Sequence, residues 1–224
     1  MIHKDHNETA QKLLVAAGEV FATSGYEAAT IRQITDRAHV NLAAVNYYYG
    51  DKSNLYREVL RWVFQRRFEN LRVRCGTGPA DHRLRCYIEA MLLPHGVDDW
   101  PWQRAITIRA LANEVLPPFR TEISNMVRPI HELLREIVND MTHGALDELQ
   151  LELATHNVQN MCLRWRNRAR LIEALSPQLQ TLDEQAIVEA IFQMASGGLQ
   201  QLYRPRGTSA RRRPRQQERN ARIA

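Results

Sequence analysis

Cysteine is scarce in this chain, with only Cys75, Cys86 and Cys162 among 224 residues. An odd, sparse set is not a disulfide framework, so the fold has to be held by apolar burial. Cys75, His82 and Cys86 lie close together, but their spacing matches no standard zinc pattern and a fourth ligand is missing. No metal and no cofactor are therefore expected. Glycine and proline are also few, at ten and nine residues, which excludes a fibrous or low-complexity chain. No apolar run approaches the roughly 18 residues that span a bilayer. The opening Met-Ile-His-Lys-Asp-His-Asn-Glu is too polar for a signal or transit peptide. The expected location is cytoplasmic, with no membrane partner. A Gly-rich phosphate loop, a nucleophile elbow and a His-Glu-x-x-His pair are all missing. An enzyme is not expected.

What is present is a large apolar fraction, 44% of residues, enough for a sizeable core. The net charge of +5 is unevenly placed. Eight arginines and one glutamate fall between Arg204 and Ala224, so the remainder is slightly acidic. Residues 204–224 cannot bury a core and are expected to form a basic, disordered tail. Such a tail reads either as an arm adding non-specific affinity for DNA or as a solvated terminus.

Helical periodicity dominates elsewhere, without sustained strand alternation or an internal repeat. Over residues 9–24, Leu13, Ala17, Val20 and Phe21 make one apolar stripe, and Gly25 follows as a helix stop. Thr30 and Gln33 form a capping-box pattern for a second helix. Ile31, Ile34 and Ala38 give that helix one apolar face. His39-Val40-Asn41 is a three-residue turn, and Asn41 is a good N-cap for a third helix over residues 42–49. Two short helices so joined describe a helix-turn-helix near residues 30–49. Asp51 caps a fourth helix over residues 52–74, with Leu55, Tyr56, Val59, Leu60, Val63 and Phe64 on its apolar face.

At about 100° per residue, Leu42, Val45 and Tyr49 of the third helix fall within about 60° of one another and are expected to pack inward. Ala43, Ala44, Tyr47 and Tyr48 lie on the opposite side, with Asn46 on a flank. Two alanines and two tyrosines are an odd solvated surface, but they suit a major groove. Small residues permit close approach, alanine can meet a thymine methyl, and asparagine can read adenine. Tyrosine hydroxyls can donate to phosphate. Lys52 and the first amides of the fourth helix are expected to hold phosphate. The plain alternative is a small helical bundle with surface tyrosines.

Residues 20–55, from Val20-Phe21 through Thr30-Ile31-Arg32-Gln33-Ile34 and Asn46-Tyr47-Tyr48-Tyr49-Gly50-Asp51-Lys52, closely resemble the DNA-binding head of the TetR family of regulators. Phe21, Gly25, Tyr26, Thr30, Ile34, Ala38, Val40, Tyr47, Tyr49 and Lys52 fit at the family's spacing. The resemblance implies an all-α homodimer: a three-helix head followed by a larger helical body for ligand binding and dimerisation. It implies binding to a pseudo-palindromic double-stranded operator, commonly as a repressor released by a small-molecule effector. By motif position, Thr30 and Tyr47 would touch phosphate. Arg32, Leu42, Ala43, Ala44 and Tyr48 would lie at or near base edges, Lys52 would hold backbone, and Asn41 and Asn46 complete the DNA-facing set. Three positions depart from the pattern. His39 stands where the family usually has Gly, Asn46 replaces an aromatic, and Leu42 replaces a residue that is often polar.

The expected division is a head over 7–67, a body over 68–203 and the tail. Body helices are expected near 80–93, 101–115, 118–142, 146–175 and 183–203. Aromatic and isolated polar residues nominate Trp62, Trp100, Trp102, Arg109, His131, Asn157, Asn160, Met161 and Trp165 as ligand contacts. As the resemblance implies, a two-fold interface is expected from the helices near 146–175 and 183–203, with Ile187, Ile191, Met194, Gly198 and Leu202 of the last helix in it and an intrachain core as the alternative. The rival classes are an enzyme and a helical adaptor that has lost its operator contacts.

Overall fold

In the computed structural model, residues 2–93, 101–111, 117–166 and 175–203 are described. Its first helix, α1 (Ile2–Ala28), is the element on which both parts of the chain are assembled. Leu13, Ala17, Val20 and Phe21 are buried on one side of it, as the stripe requires. Gly25 has φ +77° and ψ 170°, non-helical values that break the helix at the expected stop, and a short further helical stretch runs on to Ala28. Helices α2 (Ile31–Ala38), α3 (Ala43–Tyr49) and α4 (Lys52–Cys75) complete the head. Asp51 caps α4 by accepting from the Asn54 N–H at 2.7 Å. All six apolar positions expected of α4, from Leu55 to Phe64, are buried.

The body follows as α5 (Ala80–Leu92), α6 (Pro101–Leu111), α7 (Arg120–Met141), α8 (Glu148–Arg166) and α9 (Glu184–Tyr203). Short 3-10 turns at Pro117–Phe119 and Pro177–Thr181 precede α7 and α9. His143 and Gly144 both have positive φ and separate α7 from α8. The described residues contain no strand, and no described helix is long and apolar enough to cross a membrane. The architecture is therefore all-α, a helix-turn-helix head on a larger helical body.

The buried Arg83 of α5 organises the body centre. It donates to the Cys75 carbonyl at 3.0 Å, to Asp140 at 2.6 Å and to Glu136 at 2.6 Å. One guanidinium thus satisfies the end of α4 and ties α5 to α7, with its buried charge fully paired. Arg85 reaches Glu189 at 2.5 Å and lies over the Phe192 ring, which fixes α9 against α5.

The last helix corrects the expected interface. Ile187 and Ile191 are buried within the chain, packed in its core with Val188, Ala195 and Leu199. A helix that is apolar on two sides serves two surfaces, and periodicity alone could not say which stripe faced inward. Met194 (66% exposed), Leu202 (56% exposed) and the open Gly198 form the other stripe.

Head and body meet where α6 lies on α1 and where α4 lies on α5 and α7. A Cβ built at Gly18 would come within 2.2 Å of the Trp102 ring, which itself stacks on Trp62 at 5.8 Å. Glycine thus leaves the notch into which the indole fits. Replacing Gly18 by Ala gains about 1 kcal/mol of helix propensity, whereas overpacking costs typically about 1–3 kcal/mol. A Gly18→Ala chain is expected to melt a few degrees lower, with altered tryptophan fluorescence. An unchanged or higher melting temperature would show that the notch is not needed.

Candidate nucleic-acid interface

The helix-turn-helix is built from local bonds that its residue types favour. Thr30 Oγ1 accepts from the Gln33 N–H at 3.2 Å, and Gln33 Oε1 accepts from the Thr30 N–H at 2.8 Å, a complete capping box. His39 takes the left-handed conformation, φ 55° and ψ 45°, at the end of α2. Histidine thus fills the turn position without glycine, at a cost of about 1–2 kcal/mol for a left-handed residue. The Val40 N–H then donates to the Thr35 carbonyl at 3.1 Å, closing the end of α2.

The next helix begins one residue later than expected, with Leu42 at its N-cap and no side-chain cap bond, and Asn41 holds the turn before it. Asn41 Oδ1 accepts from the Ala43 N–H at 2.9 Å, and its carbonyl accepts from the Ala44 N–H at 2.9 Å. Val45 is fully buried. Tyr49 points inward, and its hydroxyl donates to the Ala10 carbonyl of α1 at 2.7 Å. Burial first, and then the Glu58 carboxylate, push the Tyr49 phenol up to about 12, so it remains a donor at any physiological pH. These two anchors set the rotation of α3.

The opposite side is left outward. Tyr47 is 73% exposed, Ala43 and Asn46 are exposed, and Ala44 and Tyr48 are half-buried. Tyr47 and Tyr48 meet edge to face at 5.0 Å, so Tyr48 leans against the head while Tyr47 projects. Thr30 and Arg32 are exposed beside this face, with Arg32 3.9 Å from Asp36. Leu42 is a correction: it is 56% exposed instead of packed beside Val45. Side chains lean toward the N-terminus of their helix. At the very start of α3, Leu42 therefore points past the neighbouring helices, although its angular position matches Val45.

Lys52 is also engaged differently from expectation. Its ammonium donates to the Ala29 carbonyl at 2.9 Å and the Glu27 carbonyl at 3.3 Å, and it lies 4.6 Å from the Tyr26 ring centroid. It pins α4 to the junction of α1 and α2. A second basic residue does the same from the body. Arg109 of α6 donates to the Ala22 carbonyl at 3.0 Å and the Thr23 carbonyl at 3.2 Å, on the turn before Gly25. Next to it, Tyr26 and Tyr56 of the head pack on Phe119 at the foot of α7, with centroids 5.0 and 5.1 Å away. Arg57 bonds Glu122 at 3.3 Å across the same joint.

Farther along α7, a cavity of about 490 Å³ opens against α6 and α8, lined among others by Ile123, Val127, Arg128, His131, Glu152 and Gln159. Of the nominated ligand contacts, His131 lines this cavity. Trp102 and Trp62 instead join α6 to α1 and α4, while Arg109 both bonds α1 and lines a second cavity of about 300 Å³ with Tyr26, Tyr56 and Phe119. Asn157 and Asn160 are exposed on α8 and do not face into the body. Met161 and Trp165 are half-buried, and Trp165 borders a crevice of about 30 Å³. Trp100 lies outside the described residues, as does the tail. Glu152 and His156 were not nominated, although their spacing of four on a helix could have flagged them. For Glu152, burial raises the carboxyl, but hydrogen bonds from His131 and Arg135 together hold it below the usual carboxylate range.

The three cysteines are not gathered into one group. Cys75 and Cys162 are buried, and burial pushes both thiols up to about 12. Cys86 is partly exposed, 3.4 Å from His82 Nε2.

The head is thus a capped helix-turn-helix that holds its second helix outward on a helical body. Residues 13–59 match the model of bacterial regulatory proteins of the tetR family. Over these residues the head matches that family's model, which agrees with the resemblance read from residues 20–55. No curated protein matches it. Among solved structures it is similar to the transcriptional regulator FadR from Bacillus subtilis, with TM-score 0.68 and 16% identity over 84% of this chain and 98% of that one. A putative transcriptional regulator from Pseudomonas aeruginosa PAO1 gives TM-score 0.67 and 20% identity, over 87% and 93%. A TetR-like transcriptional regulator from Rhodococcus sp. RHA1 gives 0.65 and 16%, over 86% and 96%. Identities this low establish a shared fold.

Two outcomes are expected of these contacts. Lys52→Ala, which deletes two charge-assisted bonds to carbonyls, should destabilise the head by about 1–2 kcal/mol, read as faster amide exchange at the end of α1. Exchange matching the parent would contradict its pinning role. In native protein, a thiol reagent at neutral pH should modify Cys86 alone, with Cys75 and Cys162 reacting only after denaturation. Rapid reaction of all three would contradict their burial.

Proposed function

We propose that this protein is a ligand-responsive repressor that binds a pseudo-palindromic operator as a homodimer in the cytoplasm. In this reading residues 7–67 are the DNA-binding domain, 68–203 the ligand-binding and dimerisation domain, and 204–224 a basic tail. The observation that carries the reading is the outward face of α3, where a 73% exposed Tyr47 stands on a helix rigidly held by the buried Val45. Ala43, Ala44, Asn46 and Tyr48 would approach base edges, with Arg32 and Leu42 beside them. Thr30 and Tyr47 would hold phosphate, and Asn41 would fix the helix start. Lys52 acts in this scheme as a positioning residue, because its ammonium is used inside the head.

Dimerisation is supported by the apolar surface on α8 and α9. Leu149, Leu153, Met194 and Leu202 are large and exposed, and no atom stands within 4 Å of a Cβ built at Gly197 or Gly198. Two such helices from each chain would bury that surface in a two-fold contact. Effector control is supported by the cavity along α7, whose volume lies in the range of small-molecule sites. The Bacillus subtilis neighbour was crystallised in complex with stearoyl-CoA. A ligand between α7 and α8 would bear on Phe119 and Glu122 at the foot of α7, which touch the head. The effector shifts the equilibrium only by its differential affinity for the two head spacings.

A gel-shift assay on the DNA flanking the protein's own gene tests the reading. Tyr47→Ala should weaken binding about tenfold or more, equivalent to about 1.4 kcal/mol or above, with unchanged helical content and dimerisation. Tyr47→Phe separates the hydroxyl from the ring. Equal affinity in the parent and both variants would remove α3 from the interface.

A further inference from the structure

His131 on α7 and Glu152 and His156 on α8 converge at the wall of the 490 Å³ cavity, and all three line it. His131 Nε2 lies 3.1 Å from Glu152 Oε2, and His156 Nε2 lies 3.8 Å from the same oxygen. The two imidazoles sit 4.9 Å apart, tilted by 35°. One donor atom from each residue falls within 4.8 Å of the others. We propose that these three side chains form a site for a divalent transition metal ion, zinc by donor type, with a fourth position that faces the cavity.

The geometry needs little adjustment. Tetrahedral zinc with bonds of about 2.0–2.1 Å holds its donors about 3.3 Å apart. Both imidazole–carboxylate separations already lie within about 0.5 Å of that value. Only the imidazoles have to draw together, and the His156 side chain is 60% exposed and able to turn. Two histidines and one carboxylate with a remaining position is the donor set of zinc sites that bind an external ligand.

The neighbours orient the donors as second-shell groups do. Gln159 Oε1 lies 3.4 Å from His131 Nδ1, so a proton held on Nδ1 leaves the Nε2 lone pair for an ion. Arg135 Nε donates to Glu152 Oε1 at 3.0 Å, which leaves Oε2 as the free donor on the histidine side. Glu148 pairs with Arg135 at 2.6 Å and offsets its charge.

An ordinary ion pair does not account for this arrangement. Arg135 and His131 already satisfy the carboxylate. His156 brings a second imidazole to the same carboxylate oxygen and against the first ring, so two imidazole nitrogens and one carboxylate oxygen converge within 4.8 Å. Arg120 and Arg128 line the same cavity, so the fourth position suits water or an anionic oxygen. The binding of the ion stands on these residues alone, whereas any effect on DNA rests on the regulator reading above.

The test titrates tag-free, full-length protein with Zn²⁺ in competition with a chromogenic chelator, and records visible spectra with Co²⁺. One ion per chain is expected, with four-coordinate ligand-field bands and no thiolate charge-transfer band. His131→Ala and His156→Ala should each weaken binding at least tenfold, while Cys86→Ser leaves it unchanged. The exposed His156 can be replaced without loss of fold, checked by circular dichroism. No stoichiometric ion in the parent chain, affinity unchanged in both histidine variants, or loss in Cys86→Ser would overturn the proposal. Gel shifts with and without Zn²⁺ keep the two readings separate. Absence of DNA binding in every sample would count against the regulator and leave the ion titration to decide the site.

Discussion

The seating of α6 on α1 is the contact on which the rest of the molecule depends. Trp102 fills the notch left by Gly18, and Arg109 closes the carbonyls of the turn before Gly25. The same helix α1 carries α2 and α4, and its Ala10 carbonyl receives the Tyr49 hydroxyl that orients α3. The head therefore hangs from a helix that the body grips at its other face. A shift of α6 or of the foot of α7 is transmitted through packed side chains, because close-packed contacts do not deform continuously.

Within the head, one fully buried valine and one inward tyrosine hydroxyl decide what α3 shows to solvent. Three successive tyrosines have three fates on that account. Tyr49 is bound to α1, Tyr48 leans on the head, and Tyr47 projects. The inward fixings turn Ala43, Asn46 and Tyr47 toward solvent, which is the arrangement a reading surface requires. Lys52 illustrates the converse. A lysine at the start of α4 looks available to phosphate, but three carbonyl and aromatic partners hold it within the joint.

Signals that act over four residues or fewer were legible in the sequence. The Thr30–Gln33 box and the Asp51 cap are where local chemistry puts them, and the three-residue turn closes with His39 left-handed, whereas the N-cap of α3 falls on Leu42 and not on Asn41. The buried faces of α1 and α4 were legible as well, because one stripe on each was plainly apolar. Misreadings arose where position along a helix or a partner from elsewhere decides. Leu42 has the inward angle but lies beyond the end of the packed surface. Ile187 and Ile191 lie on a helix with two apolar stripes, of which the core took theirs. Asn157 and Asn160 sit on the outer side of α8, and only the fold brings His131 from α7 to Glu152 and His156.

Selection of bound sequences from random double-stranded DNA by the purified full-length protein tests the central claim most directly. If α3 is a reading helix displayed twice by a dimer, the enriched pool converges on an inverted repeat with half-site centres about one helical turn, 10–10.5 base pairs, or a multiple of it apart. A pool that retains no sequence preference, bound only in proportion to low salt through the basic tail, would contradict it.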